Sequence, residues 1–117
     1  MKIKRIVELL DATVYCGEDM MDVDLHSACA SDMMSDVLAF VKDQALLISG
    51  LCNPQVVRTA DMMDIRCIAL VRGKRPTEDM IAIAKEKGIA LISSGHRMYS
   101  ACGTLYAEGL QPGEKTV

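Results

Sequence analysis

Aromatic residues and excess positive charge are both scarce in this sequence. Tryptophan is absent, and the four aromatic residues are Tyr15, Phe40, Tyr99 and Tyr106. Against 13 Lys and Arg residues stand 16 Asp and Glu residues, which gives a formal net charge of -3 at pH 7. Proteins that bind nucleic acid usually need a basic surface and often stack bases on aromatic rings. The composition therefore argues against a nucleic-acid-binding protein.

Long apolar runs are missing as well. The longest are about five residues, whereas a helix that spans a bilayer needs roughly 20. The chain opens with Met-Lys-Ile-Lys-Arg and continues as an amphipathic segment, without the apolar core of a signal peptide. We therefore expect no membrane span, no signal peptide and a cytoplasmic protein.

The sequence also lacks the common motifs that bind metals or cofactors or carry out catalysis. The five cysteines show no Cys-x-x-Cys or paired Cys/His spacing, so we predict reduced thiols and no zinc site. No P-loop, Gly-x-Gly-x-x-Gly or nucleophile elbow occurs. We predict no metal, no cofactor and no catalytic residue, and a non-catalytic protein ranks above an enzyme.

What the sequence does contain is one pattern that occurs three times. Apolar runs of five residues begin at Ala45, Cys67 and Ile89, so that successive starts are 22 residues apart. A short run without alternation is typical of a strand buried on both faces. Each run leads through a short loop into a segment of helical periodicity. The pattern predicts an α/β fold, a mainly parallel sheet of repeated strand-loop-helix units with helices packed on it.

Further elements precede the repeats. The pattern predicts a helix that ends near Asp11, a strand over 12–16, and a half-covered strand over 23–29 near the sheet edge. Ser31 or Asp32 is a good N-cap for a helix whose predicted buried stripe is Met34, Val37, Leu38 and Val41. We predict one domain over 1–110 and a frayed polar tail over 111–117.

The loops after the repeated strands supply the candidate ligand site. Parallel strands with right-handed crossovers bring these loops to one sheet edge, where open α/β sheets usually bind ligands. Backbone N–H groups at Gly50, Gly73 and Ser94 could hold an anion there, with Arg72 supplying charge. We predict that a small anionic ligand, for example a nucleotide, binds at the residues Gly50, Asn53, Arg72, Gly73, Ser94 and His96.

The order of these units resembles the DRTGG domain family, over about residues 3–110. The resemblance rests on Asp-Met-Met-Ser-Asp-Val-Leu from Asp32, which opens a helix, and on glycine-bearing loops after the next two strands. The family's Gly-Asp-Arg falls on Gly50, Leu51 and Cys52, and its Leu-Thr-Gly-Gly falls on 70–73, so of the five naming residues only Gly73 is kept. The resemblance implies a bacterial regulatory or sensory module that forms a homodimer.

Other interpretations stay open. An interaction domain could act on a partner protein without any small ligand. Cys52, at a helix start, could be a nucleophile with His96 as its base in acyl or phosphoryl transfer, although a small packing residue and a solvent-facing first-turn histidine are the simpler readings. The basic run of residues 72–75 suits a solvated turn as well as a phosphate site. Asp24 and His26, on one face of the predicted strand, could form a charge pair or protect the edge.

Overall fold

Five helices and six strands make up the part of the chain that this computed structural model describes, residues 1–40 and 46–113. In chain order they are α1 (Ile3–Leu10), β1 (Thr13–Cys16), β2 (Ser27–Ala30), α2 (Met34–Phe40), β3 (Leu46–Ser49), α3 (Pro54–Met62), β4 (Cys67–Leu70), α4 (Glu78–Lys87), β5 (Ala90–Ser93), α5 (Met98–Ala107) and β6 (Gln111–Pro112). A short 3-10 turn, Glu18–Met20, follows β1.

The strands form one sheet in the order β1-β5-β4-β3-β2-β6. β2, β3, β4, β5 and β6 pair in parallel, and β1 alone runs antiparallel, against β5. The three 22-residue units therefore supply the neighbouring strands β3, β4 and β5. The predicted α/β fold with a mainly parallel sheet is confirmed.

Two apolar layers explain why these strands have no polar alternation. Along β3, Leu46 and Ile48 pack with α1 and α5 on one face, whereas Leu47 packs with α2, α3 and α4 on the other. All four residues of β3, of β4 and of β5 are buried. A strand covered on both faces needs apolar side chains at every position.

Helix ends follow their capping residues. Asn53 accepts a hydrogen bond from the Gln55 N–H at 2.8 Å ahead of Pro54, as the Asn-Pro pair predicts. The Thr77 hydroxyl accepts from the Met80 N–H at 3.2 Å at the start of α4. Gly88 ends α4 with a φ of 69°, a left-handed conformation that glycine adopts without strain.

The strand predicted over 23–29 is wrong in its start, because β2 begins at Ser27, whereas its half-covered pattern and its place near the sheet edge agree with the structure. Residues 23–25 bond to the N-terminal segment instead of the sheet: the Ile3 N–H donates to the Val23 carbonyl, and the Leu25 N–H donates to the Met1 carbonyl. Asp24 forms an isolated bridge with Lys2, and its carboxylate accepts from the Met1 ammonium at 2.7 Å. β2 lies inside the sheet between β3 and β6, so the edges are β1 and β6.

Three smaller predictions also change. The tail was expected to fray from Gln111, yet Gln111 and Pro112 pair with β2, whose edge would otherwise be unpaired. Leu38, predicted in the buried stripe of α2, is 45% exposed, while Val41 lies outside the described residues. His96 lies in a loop ahead of α5, because its N–H donates to the Ser94 hydroxyl in a turn and the helix begins only at Met98.

Candidate functional site

The loops after β3, β4 and β5 are tied to one another by backbone hydrogen bonds. The Val71 N–H donates to the Ser49 carbonyl at 3.1 Å, which joins the loops that follow β3 and β4. Arg72 and Gly73 donate to the carbonyls of His96 and Ser94 at 2.7 and 2.9 Å. These bonds place the loops side by side at the carboxyl edge of the parallel strands, as the sequence predicts.

Arg72 and Gly73 form a tight left-handed corner in the loop after β4. Their φ angles are 61° and 68°. A left-handed conformation is free of strain for glycine and costs roughly 1–2 kcal/mol for a residue with a side chain. The hydrogen bond from the Arg72 N–H to His96 helps to hold this conformation. Gly73, the residue kept from the family motif, therefore has a conformational reason to be glycine.

Asp32, from the loop after β2, reaches into the same edge. Its Oδ1 accepts a hydrogen bond from the Gly50 N–H at 2.6 Å and one from the Ser49 hydroxyl at 3.3 Å. Its Oδ2 lies 3.5 Å from Nη2 of Arg72, and both side chains are a little under half exposed. The same Nη2 donates to the Gly50 carbonyl at 3.4 Å. A carboxylate and a guanidinium from different loops thus meet at Gly50.

Gly50 makes room for this arrangement. A Cβ at this position would overlap the guanidinium of Arg72, whereas the φ of Gly50 is not in the left-handed region. The requirement for glycine is therefore set by the arginine side chain and not by the backbone conformation. A side chain at position 50 would push Arg72 away from the edge.

The proposed donors for an anion are already paired. The Gly50 N–H donates to Asp32, the Gly73 N–H to the Ser94 carbonyl, and the Ser94 N–H to the Leu70 carbonyl. The expectation that these three N–H groups hold an anion therefore needs correction, because each has an acceptor within the chain. An anion could reach the Gly50 N–H by replacing the Asp32 carboxylate, and the other two donors hold the loops together.

Sequence reasoning missed the part played by Asp32. It was read as an N-cap of α2, whereas its carboxylate accepts from Gly50 across the sheet edge. Ser31 takes the local role, since its hydroxyl accepts from the Met33 N–H at 2.9 Å. No spacing in the sequence indicates a contact between loops of different units, although the position of Asp32 just after a strand was a usable signal.

The remaining cations of the loop are exposed. Lys74 and Arg75 project from a backbone whose carbonyls are held from within: Lys74 accepts from the Ser93 hydroxyl, and Arg75 accepts from Sγ of Cys52. Among residues 1–40 and 46–113, no ion pair includes Lys74 or Arg75. Asp32 is the one acid that ion-pairs within this loop cluster in the described structure, and the exposed acids Glu78 and Asp79 follow the cations in the first turn of α4.

Cys52 and His96 are engaged separately. The Cys52 thiol contacts the Arg75 carbonyl at 2.9 Å and the sulfur of Met80 at 3.9 Å. Nδ1 of His96 lies 3.0 Å from the Ser100 hydroxyl. No hydrogen bond within the described part of the chain joins the two side chains, and this geometry does not form a nucleophile–base pair.

Asn53, the last predicted site residue, has its side chain at the start of α3, where it caps Gln55. The structure thus brings Gly50, Arg72, Gly73, Ser94 and His96 together and leaves Asn53 at the border of the group. Across residues 1–40 and 46–113, no cluster of three or more His, Cys, Asp or Glu side chains could hold a metal ion. In the same ranges no helix is both long and apolar enough to cross a membrane.

Comparison with known proteins supports the resemblance found in the sequence. The family model of the DRTGG domain matches residues 5–106. A similar solved structure contains the CBS and DRTGG domains of the regulatory region of a Clostridium perfringens pyrophosphatase, complexed with the activator diadenosine tetraphosphate. The TM-score is 0.75 at 16% identity, over 89% of this chain and 45% of that one, so this chain spans less than half of it. At that identity the likeness concerns the fold. No curated protein matches this sequence.

Proposed function

Because this chain belongs to the DRTGG domain family, we propose that it is a regulatory module that binds a small anionic ligand and associates with a second copy of itself. The regulatory region of similar fold was solved with a dinucleotide activator, which supports nucleotides as the first ligands to test. The module corresponds to residues 1–110. We also propose that the protein is bacterial and cytoplasmic, and its free cysteines fit a reducing compartment.

The observation that carries this proposal is the Asp32–Gly50–Arg72 contact. Arg72 offers a planar fork of N–H donors that suits phosphate and carboxylate oxygens. In the structure, Nη2 of Arg72 lies 3.5 Å from Oδ2 of Asp32. An anionic ligand would take the place of that carboxylate on Arg72 and on the Gly50 N–H. The exposed Lys74 and Arg75 would add attraction at longer range.

An Asp-Arg pair beside Gly50 also bears on the lost family signature. The motif positions after Gly50 hold Leu51 and Cys52 in this chain. Asp32 and Arg72 supply a carboxylate and a guanidinium from the two flanking loops. We propose that this pair restores the polar character of the edge and that Gly73, Ser94 and His96 position it through their backbone bonds.

Titration of the purified protein with nucleotides, diadenosine polyphosphates and inorganic phosphate tests the proposal. Binding to the folded state at about 100 times Kd raises the free energy of unfolding by roughly 2.7 kcal/mol, which a thermal shift detects. Replacing Arg72 by Ala should weaken binding by about 10- to 100-fold, since hydrogen bonds to charged groups contribute about 1.5–3 kcal/mol.

Arg66→Ala is the matched control. Arg66 is exposed and precedes β4, so it lies at the opposite edge of the sheet. Its replacement by Ala changes the net charge by the same amount as Arg72→Ala. Binding that falls equally in both variants would reflect overall charge. The absence of a shift with every anion, in the wild-type protein, would refute the ligand proposal and favour an interaction domain without a small ligand.

The interaction domain is a second candidate because one helix presents an exposed apolar face. Tyr99 on α5 is 91% exposed and Tyr106 is 61% exposed. No comparable observation favours a Cys52-dependent transferase or hydrolase.

A further inference from the structure

The outer face of α5 differs from the other helix surfaces of the described structure. The helix reads Met-Tyr-Ser-Ala-Cys-Gly-Thr-Leu-Tyr-Ala and is the one described helix without a charged residue. Its tyrosines, seven residues apart, lie on the same side of the helix. Together with Cys102, Gly103 and Ala107 they line a shallow, open surface hollow of about 350 Å³.

The hollow continues onto the sheet. A second one, of about 100 Å³, shares Cys102 and Tyr106 with the first and reaches Ala28 and Ala30 of β2 and Pro112 of β6. The helices α1 and α5 cover this face of the sheet, and Ala30 at its end stays exposed. The uncharged helix and the exposed end of β2 beside it form a continuous apolar surface, and interface cores are depleted in charge in the same way.

Gly103 lies in the interior of α5 and has no reason within the chain to be glycine. A Cβ added there would meet no atom of residues 1–40 and 46–113 within 4 Å, and the φ of Gly103 is not left-handed. Glycine in a helix interior costs about 1 kcal/mol relative to alanine. A residue that weakens the helix and touches nothing fits a surface where another backbone approaches closely.

The spacing of residues on this face is symmetric: a tyrosine lies at each end and two small residues lie at the centre. Tyr99 and Tyr106 are equidistant from the midpoint between Cys102 and Gly103. In an antiparallel pair of α5 helices about a two-fold axis at that midpoint, Tyr99 faces Tyr106 of the second copy and Cys102 faces Gly103. The small residues let the axes approach at the centre, and the tyrosines pack at both ends. Such self-complementarity is what an isologous interface requires.

The area also fits a second copy. Each aromatic side chain buries roughly 150–250 Å², so four tyrosines supply about 600–1,000 Å². The apolar residues of β2 and β6 beside the helix add further area toward the roughly 1,200 Å² at which stable interfaces begin. With a net charge of -3 on each copy, contact through an uncharged face also avoids repulsion at close range.

We propose that the α5 face, defined by Tyr99, Cys102, Gly103 and Tyr106, is the interface through which two copies of this chain pair with antiparallel α5 helices. The inference rests on the self-association in the proposed function and names the surface that carries it. None of these residues lies in the loops at the sheet edge, so variants of the α5 face leave the residues of the ligand site in place.

Sedimentation equilibrium of three variants tests the proposed surface. Gly103→Glu places a charge at the centre of the pair without a clash inside the chain, and Tyr99→Glu does so at its end. Each should raise the dimer dissociation constant at least about 30-fold, the effect of a central interface residue. Urea midpoints measured beside them show that both variants fold. Met62→Glu is the control, since Met62 is 64% exposed on α3, a helix of the opposite face.

Disulfide trapping tests the orientation. In a Cys102→Ala background, oxidation of a mixture of Tyr99→Cys and Tyr106→Cys copies should give far more cross-linked dimer than either variant alone. A wild-type protein that stays monomeric at high concentration would overturn both the interface and the self-association. Dimers that survive Gly103→Glu and Tyr99→Glu would overturn the α5 interface while leaving self-association intact. Equal cross-linking in all three samples would overturn the antiparallel pairing.

Discussion

The carboxylate of Asp32 and the guanidinium of Arg72 lie 3.5 Å apart, although 40 residues separate them in the sequence. They come from the loops after β2 and β4 and meet at Gly50, in the loop after the strand between these two. The protein therefore holds its best anion-binding side chain against an anion of its own. In the proposed function, a ligand that binds Arg72 competes with the carboxylate of Asp32.

Replacing Asp32 by Asn should strengthen anion binding. Asn keeps an oxygen for the Gly50 N–H but removes the charge that competes for Arg72. Because both side chains are about half exposed, the ion pair contributes only about 0–1 kcal/mol. We expect anion affinity to rise by up to about fivefold, with little change in the free energy of unfolding. Isothermal titration with the ligand found by screening measures the change.

Asp22→Asn is the control for Asp32→Asn. Asp22 is an exposed acid that pairs with Lys4 of α1 and not with the loops at the sheet edge. Its replacement by Asn changes the net charge by the same amount. Unchanged or weaker binding in Asp32→Asn would show that Asp32 does not compete with the ligand.

Two glycine-to-alanine substitutions should distinguish a clash with a mobile side chain from a clash with the backbone combined with backbone strain. At Gly17, φ is 93° and a Cβ would lie 2.7 Å from Cα of Ala90, so neither the backbone nor the neighbour can yield cheaply. We expect Gly17→Ala to lower the free energy of unfolding by at least about 2 kcal/mol. At Gly50 the overlapping atoms belong to the mobile end of Arg72. Gly50→Ala should cost less than about 1 kcal/mol in urea denaturation but weaken anion binding.

Equal destabilisation by the two substitutions would contradict this distinction. It would mean that the edge loops depend on Gly50 as strictly as β1 depends on Gly17.

Ser94 should contribute more to stability than its size suggests. Its buried hydroxyl donates to the Leu10 carbonyl at the end of α1 at 2.7 Å and accepts from the His96 N–H at 3.1 Å. Ser94→Ala leaves both backbone groups without these bonds, which costs about 1–3 kcal/mol. Ser100→Ala, which removes an exposed contact to His96, should stay within about 0.5 kcal/mol. Chemical denaturation of both variants measures the difference, and similar values would refute the buried link to α1.

Cys67 should make stability depend on pH in the alkaline range. Burial raises the pKa of its thiol from the ordinary value near 9 to about 12. The unfolded chain then loses a proton that the folded chain keeps, so the contribution of Cys67 is complete below pH 9 and falls as the pH rises toward 12. The stability of the wild-type protein relative to Cys67→Ala should fall by up to about 1.4 kcal/mol per pH unit. Urea denaturation between these limits measures it, and a constant difference would contradict the shift.

Most of the fold follows from local rules that the sequence displays. Buried strands covered on both faces must be apolar throughout, so the runs that begin near residues 45, 67 and 89 could be read directly as β3, β4 and β5. Asn53 and Gly88 mark helix ends through side-chain and backbone chemistry that acts within a few residues. The prediction of a strand over residues 23–26 is wrong because these residues pair with the segment before and at the start of α1, about 20 residues away in the sequence. The pattern of residues 23–26 alone does not reveal these hydrogen bonds.

The sequence predicts the location of the candidate site at the sheet edge, but it does not predict the hydrogen bonds within the site. Strand direction alone brings Gly50, Arg72 and Ser94 to one edge. Which acceptor each N–H finds depends on loop contacts between units, and local sequence does not encode the approach of Asp32 to Gly50. The same limit explains His96, whose place before the helix depends on a turn made by the Ser94 hydroxyl.

The backbone bonds between the loops after β4 and β5 couple the two proposed surfaces. Arg72 and Gly73 are held by the carbonyls of His96 and Ser94, and His96 lies two residues before the first residue of α5. A ligand that shifts Arg72 therefore acts on the start of the helix that carries Tyr99. By thermodynamic linkage, if ligand binding changes the affinity for a second copy, the second copy changes the ligand affinity by the same factor. We expect the apparent ligand affinity to change with protein concentration in the wild type and not in Gly103→Glu, so that the module senses its own abundance together with its ligand.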